Sequence, residues 1–335
     1  MTRAAILPTT GDPYVSQLWA NSCERVWGDE VDKIYVKVNS SADESVREHS
    51  ADIYRSLGAK VSVVDHPTDH GPAVTDLIHE VEEDHILILE DDFYIKQPGA
   101  VTEWFEEVES GACDVVGSMR GCTDAAIIEK TAQTFGLAGD EALQSNFWPC
   151  LLVASKHDLL RTDENFAAKT FEAGKAIPYI DHTPAVTCAG DTFVWASIQL
   201  RGLGFRCNQR NQWRLIDVLN SEFYDCPWVH LGSSSTTDNG MLVDENWNSI
   251  LLRHQGKRGQ DPTPPDEGLK DNYCCQMAWL ALMLENLPVP AESNAAWYNG
   301  LYGQFINSTI VERGLSPSRI VHYADRLAMV LAPLL

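Results

Sequence analysis

The chain has 335 residues, 44% of them hydrophobic, and a formal net charge of -23. That length accommodates one large or two modest domains with a sizeable core. The acidity disfavours unassisted binding to nucleic acid or to an anionic membrane surface.

The first strand is expected over residues 4–7, stopped by Pro8. Thr9, Thr10, Gly11 and Asp12 form a turn, with Asp12 placed to cap the next helix and Pro13 suited to its first position. The spacing of Val15, Leu18, Trp19, Cys23 and Val26 predicts a helix over 14–27. The turn is neither a G-x-G-x-x-G nor a Walker loop, which argues against a dehydrogenase. Thr9 and Thr10 are left as either capping residues or nucleotide contacts. "KIYVKV", residues 33–38, alternates as a second strand closed by Asn39, and a helix follows over 45–57 with Gly58 as its C-terminal stop. A third strand covers 60–64 and ends at Asp65; a third helix covers 75–83. Strand–helix repeated three times and then a strand predicts a parallel sheet.

That fourth strand holds the most informative stretch, "ILILEDDFYIKQP". Ile86 to Leu89 is an uninterrupted apolar run, the mark of a strand buried on both faces. Glu90, Asp91 and Asp92 follow at its carboxyl end, where open α/β sheets place their ligand sites. Three adjacent acids are an ordinary surface turn in an acidic protein, or the grip on a divalent cation bridging to a phosphate. The buried strand before them favours the second reading.

Beyond Pro98, a helix is expected over 100–109, a strand over 113–119, helical or irregular chain over 123–143, a strand over 147–154, and a short helix from Lys156. Residues 163–184 read as loop with some helix. In "CAGDTFVWASIQLRGLGFR" Asp191 opens a helix, and its plain reading is an N-cap. In "PWVHLGSSST" His230 precedes a Gly-Ser turn, and a lone His is more often structural than a ligand. Residues 254–268 are rich in Pro, Gly and charge, and the chain after 272 is mostly helical with dense apolar faces that pack on the main domain or on a second subunit. Nine cysteines, an odd number with no C-x-x-C pair, fit free thiols in a reducing compartment. No signal peptide and no apolar stretch long enough to span a bilayer is visible, so the expected location is the cytoplasm.

Taken together, the acidic strand end, the "GD" before a helix about a hundred residues later, and the late His-x-Gly give the chain a resemblance to the GT-A fold glycosyltransferases, most like the inverting family 2 group. The resemblance covers about residues 3 to 235. It implies an α/β fold with a GT-A-type (Rossmann-like), mainly parallel sheet flanked by helices, plus a helical C-terminal extension. It implies residues 1–253 as a nucleotide-sugar-binding and catalytic domain, 254–270 as a linker or mobile loop, and 271–335 as the extension. Glu90 and Asp91 would hold the nucleotide sugar, Asp92 and His230 would ligate Mn2+ or Mg2+, and Asp191 would act as catalytic base. Pro8, Thr9, Thr10, Asn39 and Asp65 would line the nucleotide pocket, with Arg210, and Arg206 and Arg214 beside it, adding positive charge. One position departs: the acid that the family usually keeps before the base is Gly190 here.

The activity implied is transfer of a sugar from a nucleoside-diphosphate sugar to an acceptor hydroxyl, with inversion. The acceptor is not readable: a glycan, a protein, a lipid-linked sugar and a modified DNA base all remain. Two other readings stay open, a nucleotidyltransferase on a related sheet and a non-catalytic sugar- or partner-binding protein that keeps a transferase shell. A homo-oligomer formed through the C-terminal helices is a further expectation.

Overall fold

The computed structural model describes residues 1–39, 44–119, 125–139, 146–162, 166–190, 192–211, 213–231, 267–287, 307, 310–311 and 314–335. Its centre is a seven-stranded sheet. In chain order the elements are β1 (Arg3–Thr9), α1 (Pro13–Ser22), β2 (Lys33–Val38), α2 (Glu44–Ser56), β3 (Lys60–Val63), α3 (His70–Glu80), β4 (His85–Leu89), β5 (Phe93–Ile95), α4 (Ala100–Glu109), β6 (Val115–Met119), α5 (Ala125–Phe135), β7 (Phe147–Ser155), α6 (Lys156–Leu159), β8 (Lys169–Phe171), β9 (Cys188–Gly190), α7 (Val194–Gly202), β10 (Cys207–Arg210), α8 (Leu215–Ser221), β11 (Trp228–His230), α9 (Glu267–Asn286) and α10 (Pro317–Leu331). The sheet order is β10-β6-β7-β4-β1-β2-β3. β1, β2, β3 and β4 pair in parallel, as do β6 and β10, while β7 runs antiparallel to both of its neighbours. The sheet is mainly parallel and Rossmann-like, flanked by helices.

The apolar run of β4 is explained by its two faces. Leu87 and Leu89 pack into one core with Leu7, Trp19 and Val153. Ile86 and Ile88 pack into the other with Ile6, Leu77 and Leu152. All four side chains are fully buried, each stabilising the fold by about 1.5–3 kcal/mol. β1 runs two residues further than expected, through Pro8. Odd residues of β1 bond toward β2, as Thr9 O does with Asn39 N, so Pro8 faces the β4 side. Pairing with β4 has already ended at Ile6, so the missing N–H breaks no ladder bond.

Helix α1 begins as its sequence requires, with Asp12 Oδ1 accepting from the N–H groups of Tyr14 and Val15. It then loosens into a π-helical turn over Cys23–Trp27. Helix α4 has the predicted bounds and turns Val101, Trp104, Phe105 and Val108 inward. Its first turn is capped from a distance, by the Glu30 carboxylate accepting from Gly99 N and Thr102 N.

The structure departs from the sequence reading at several elements, among them α3, which covers His70–Glu80, and α8 and β11, which local patterning does not show. Residues 93–95 form a strand, β5, that pairs antiparallel with β11. Residues 169–171, read as loop, form a two-stranded ribbon with 188–190. The C-terminal helix α9 begins at Glu267, inside the segment read as linker; residues 254–266 of that segment lie outside the described residues.

Among the described residues, the apolar faces of the C-terminal helices pack on the main domain, the first of the two placements expected for them. Trp279, Met283, Leu327 and Leu331 belong to the same core as α1 and α4. Asn21 Nδ2 donates to Leu334 O, Tyr323 Oη donates to Asn220 Oδ1, and Arg326 donates to Leu219 O. The exposed apolar residues of α10 are Val321 and Met329. No helix among the described residues is long and apolar enough to cross a membrane.

Candidate active site

The carboxyl end of β4 delivers its three acids in two directions. Asp91 is 2% exposed and turns toward β1. Its Oδ2 accepts from Thr9 Oγ1 at 2.6 Å and from Thr10 N at 3.1 Å. Burial and the neighbouring Asp92 charge raise Asp91 to about 7, against the opposing pull of the Thr9 and Thr10 bonds. Thr9 and Thr10 do not cap the following helix, whose cap is Asp12. They hold one acid of the triplet in place.

Glu90 and Asp92 face His230 instead. The imidazole Nε2 lies 3.2 Å from Asp92 Oδ1 and 3.5 Å from Glu90 Oε2. Burial lowers the His230 pKa, but the Asp92 and Glu90 carboxylates more than reverse this, leaving it raised to about 9. The contact is built by the β5–β11 pair, in which His230 stands opposite Phe93. Both strands are short runs of aromatic and β-branched residues, a composition that suits such pairing. Trp228 packs edge-on against Trp104, with ring centroids 5.1 Å apart. Leu231 N donates to Asp92 O at 2.9 Å, which locks the end of β11 to the acids. His230 thus meets the acids of β4, and its position depends on a strand that local patterning does not show.

Two further side chains join the cluster. Cys150 lies on β7, whose register against β4 pairs Leu89 with Leu151, so the next pair in that series is Glu90 and Cys150. Donor atoms of Glu90, Cys150 and His230 all lie within 4.8 Å of one another. Burial first, then the Glu90 and Asp92 charges, push the Cys150 thiol well above its usual range. His70, at the start of α3, brings Nε2 to 3.8 Å from Glu90 Oε1. Neither residue carried a sequence signal of function; Cys150 read as one more apolar position in a buried strand. The donor chemistry fits a divalent cation, with a carboxylate, an imidazole and a thiol within reach of one another and Asp92 beside the imidazole.

The other expected site residues are placed as follows. Pro8 is buried within β1. The Asn39 amide holds the loop before α3, donating to Thr68 O and accepting from Thr68 N, and Asp65 is exposed in that loop. Arg210 ends β10 and pairs with Glu107, so its charge is already engaged; Arg206 does the same with Asp114. Asp191 lies outside the described residues.

A cavity of about 740 Å³, lined by Cys23, Arg25, Ile34, Ser56 and Thr102 among others, is not this site. β2 enters the sheet at Lys33 and α2 leaves at Ser56, so the cavity sits at the amino edge, opposite the acids.

No family model and no curated protein matches the chain. Among solved structures it is similar to glucosyl-3-phosphoglycerate synthase from Mycobacterium tuberculosis in complex with phosphoglyceric acid, at 15% identity, covering 63% of this chain and 69% of that chain with a TM-score of 0.41. The same enzyme in complex with Mn2+, UDP and glucosyl-3-phosphoglycerate is similar at 14% identity, with the same coverage and a TM-score of 0.41. A mycobacterial protein is similar at 17% identity over 47% of this chain and 54% of its own, with a TM-score of 0.35.

Proposed function

We propose that this chain is a metal-dependent glycosyltransferase that takes a sugar from a nucleoside-diphosphate sugar and passes it, with inversion, to an acceptor hydroxyl. The supporting observation is the buried meeting of Asp92, Glu90 and His230 at the carboxyl end of a parallel sheet. Such an edge is where open α/β sheets bind ligands. A bound Mn2+ or Mg2+ there would draw charge off the departing diphosphate.

This chain's own residues do the rest. Asp92, Glu90 and His230 hold the cation side of the site. Asp91, fixed by Thr9 and Thr10, keeps the β1 turn against the β4 end and so shapes the nucleotide wall. Asp191, which follows β9 directly in sequence, is the proposed base that takes the acceptor proton. The catalytic unit is residues 1–253, with 271–335 as a helical extension whose described helices, α9 and α10, pack on it. The eight described cysteines are all free, in keeping with a reducing, cytoplasmic setting.

The test is a panel of nucleotide sugars with Mn2+, read first by thermal shift and then by release of the nucleoside diphosphate. Stabilisation by at least one donor is expected, with release lost in EDTA and in Asp92→Asn. Release that survives both treatments, or no donor binding across the panel, would sink the proposal.

A further inference from the structure

Sulfur is out of place beside a cation expected to be hard. Mg2+ prefers six oxygen ligands, and softer thiolates select metals such as Zn2+ and Co2+. Yet Cys150 places a fully buried sulfur within 4.8 Å of donor atoms on both Glu90 and His230. The arrangement is built rather than incidental. Antiparallel β7 lies between β4 and β6, and its register carries Cys150 to the level of Glu90. On the far side, the thiol donates to Ser118 Oγ at 3.3 Å, and Ser118 is itself wholly buried. That bond fixes the sulfur from β6 while its lone pairs remain available.

We propose that Cys150 is a direct ligand of the cation held at this edge, giving a mixed oxygen, nitrogen and sulfur site that favours Zn2+ or Co2+ over Mg2+. The inference rests on the reading of this edge as a cation site. Metal–nitrogen and metal–sulfur bonds of ~2.0–2.3 Å require the three donors to close by about an ångström, within the reach of side-chain rotation. As the sulfur–metal bond forms, the S–H bond breaks and its proton leaves to solvent, and His230 gives up its Nε2 proton as it ligates, so each cation bound through both releases a proton from each. Ser118 Oγ–H then donates to the thiolate, reversing the direction of their hydrogen bond.

The experiment titrates Co2+ into the metal-free full-length protein, with and without UDP, and follows near-ultraviolet absorption. A sulfur-to-cobalt charge-transfer band is expected in the wild type. It is lost in Cys150→Ser and Cys150→Ala, with affinity roughly tenfold weaker or more, and lost in Glu90→Gln although the thiol remains. The preference for Zn2+ over Mg2+ narrows in the Cys150 variants. Co2+ bound without a sulfur band in the wild type overturns the inference and leaves the cation site standing. A band that persists in both Cys150 variants overturns it too, by placing the metal on another cysteine. No Co2+ bound under either condition overturns both the inference and the cation reading. The wild-type band needs no variant to fold, so a failed variant does not rescue the idea.

Discussion

His230 Nε2 stands 3.2 Å from an Asp92 oxygen, and the two side chains are 2% and 1% exposed. A buried pair of this kind is costly to break from one side, because the remaining charge loses its counterpart. His230→Ala in EDTA is expected to lower the unfolding free energy by about 3–5 kcal/mol. Urea unfolding measures it; a loss under about 1 kcal/mol would mean that the pair contributes little.

Asp12 supplies a pH dependence that is independent of the acids on β4. Burial raises its carboxyl from 3.8 to about 7, despite the bonds it accepts from Tyr14 N and Val15 N. The folded value lies above the unfolded one. The stabilisation is therefore complete below about 4 and is lost as pH rises through about 7. At ~1.4 kcal/mol per pKa unit, the swing is on the order of 4 kcal/mol. Asp12→Asn keeps the capping acceptor without the charge. The variant should match the wild type at pH 4 and exceed it at pH 8; parallel stability curves would refute the assignment.

Thr9 is expected to matter through Asp91. Thr9→Val removes the 2.6 Å bond but keeps the shape of the side chain. The expected loss is about 1–3 kcal/mol, the cost of a buried acceptor left short of a donor. Thr9→Ser should recover most of it in the same melting experiment.

Gly71 is expected to tolerate no side chain. A Cβ there would sit 2.2 Å from Ala167 N and 2.5 Å from Phe166 C, and backbone cannot retreat as a side-chain tip can. Phe166 O in turn accepts from Phe193 N, just before α7. Gly71→Ala should destabilise by about 1–3 kcal/mol or more, although alanine is the better helix former. If the melting temperature rises instead, the close approach is wrong.

Trp279 tests whether the tail is part of the main core. It is fully buried, in the same cluster as Trp19 and Trp104. Trp279→Ala should cost about 3–5 kcal/mol in a single cooperative transition. Two separated transitions would show that the tail folds as a unit of its own.

Much of this protein was determined by local pattern. The apolar run of β4, the alternation in β2, the Asp12 cap with Pro13 behind it and the inward stripe of α4 are each written in adjacent residues. They follow from backbone geometry and burial alone. The acids at 90–92 were legible for the same reason, since the strand before them points them at the sheet edge.

Only the tertiary structure decided which side chains those acids meet. Thr9 reaches Asp91 because β1 lies beside β4. Cys150 reaches Glu90 because β7 is inserted antiparallel between β4 and β6, and His230 reaches Asp92 because β11 pairs with β5. These pairings join segments far apart in the chain, and a three-residue strand leaves almost no periodic trace. The burial of a lone cysteine or histidine looks the same in sequence whether its neighbours are leucines or carboxylates; sheet order and register make the difference.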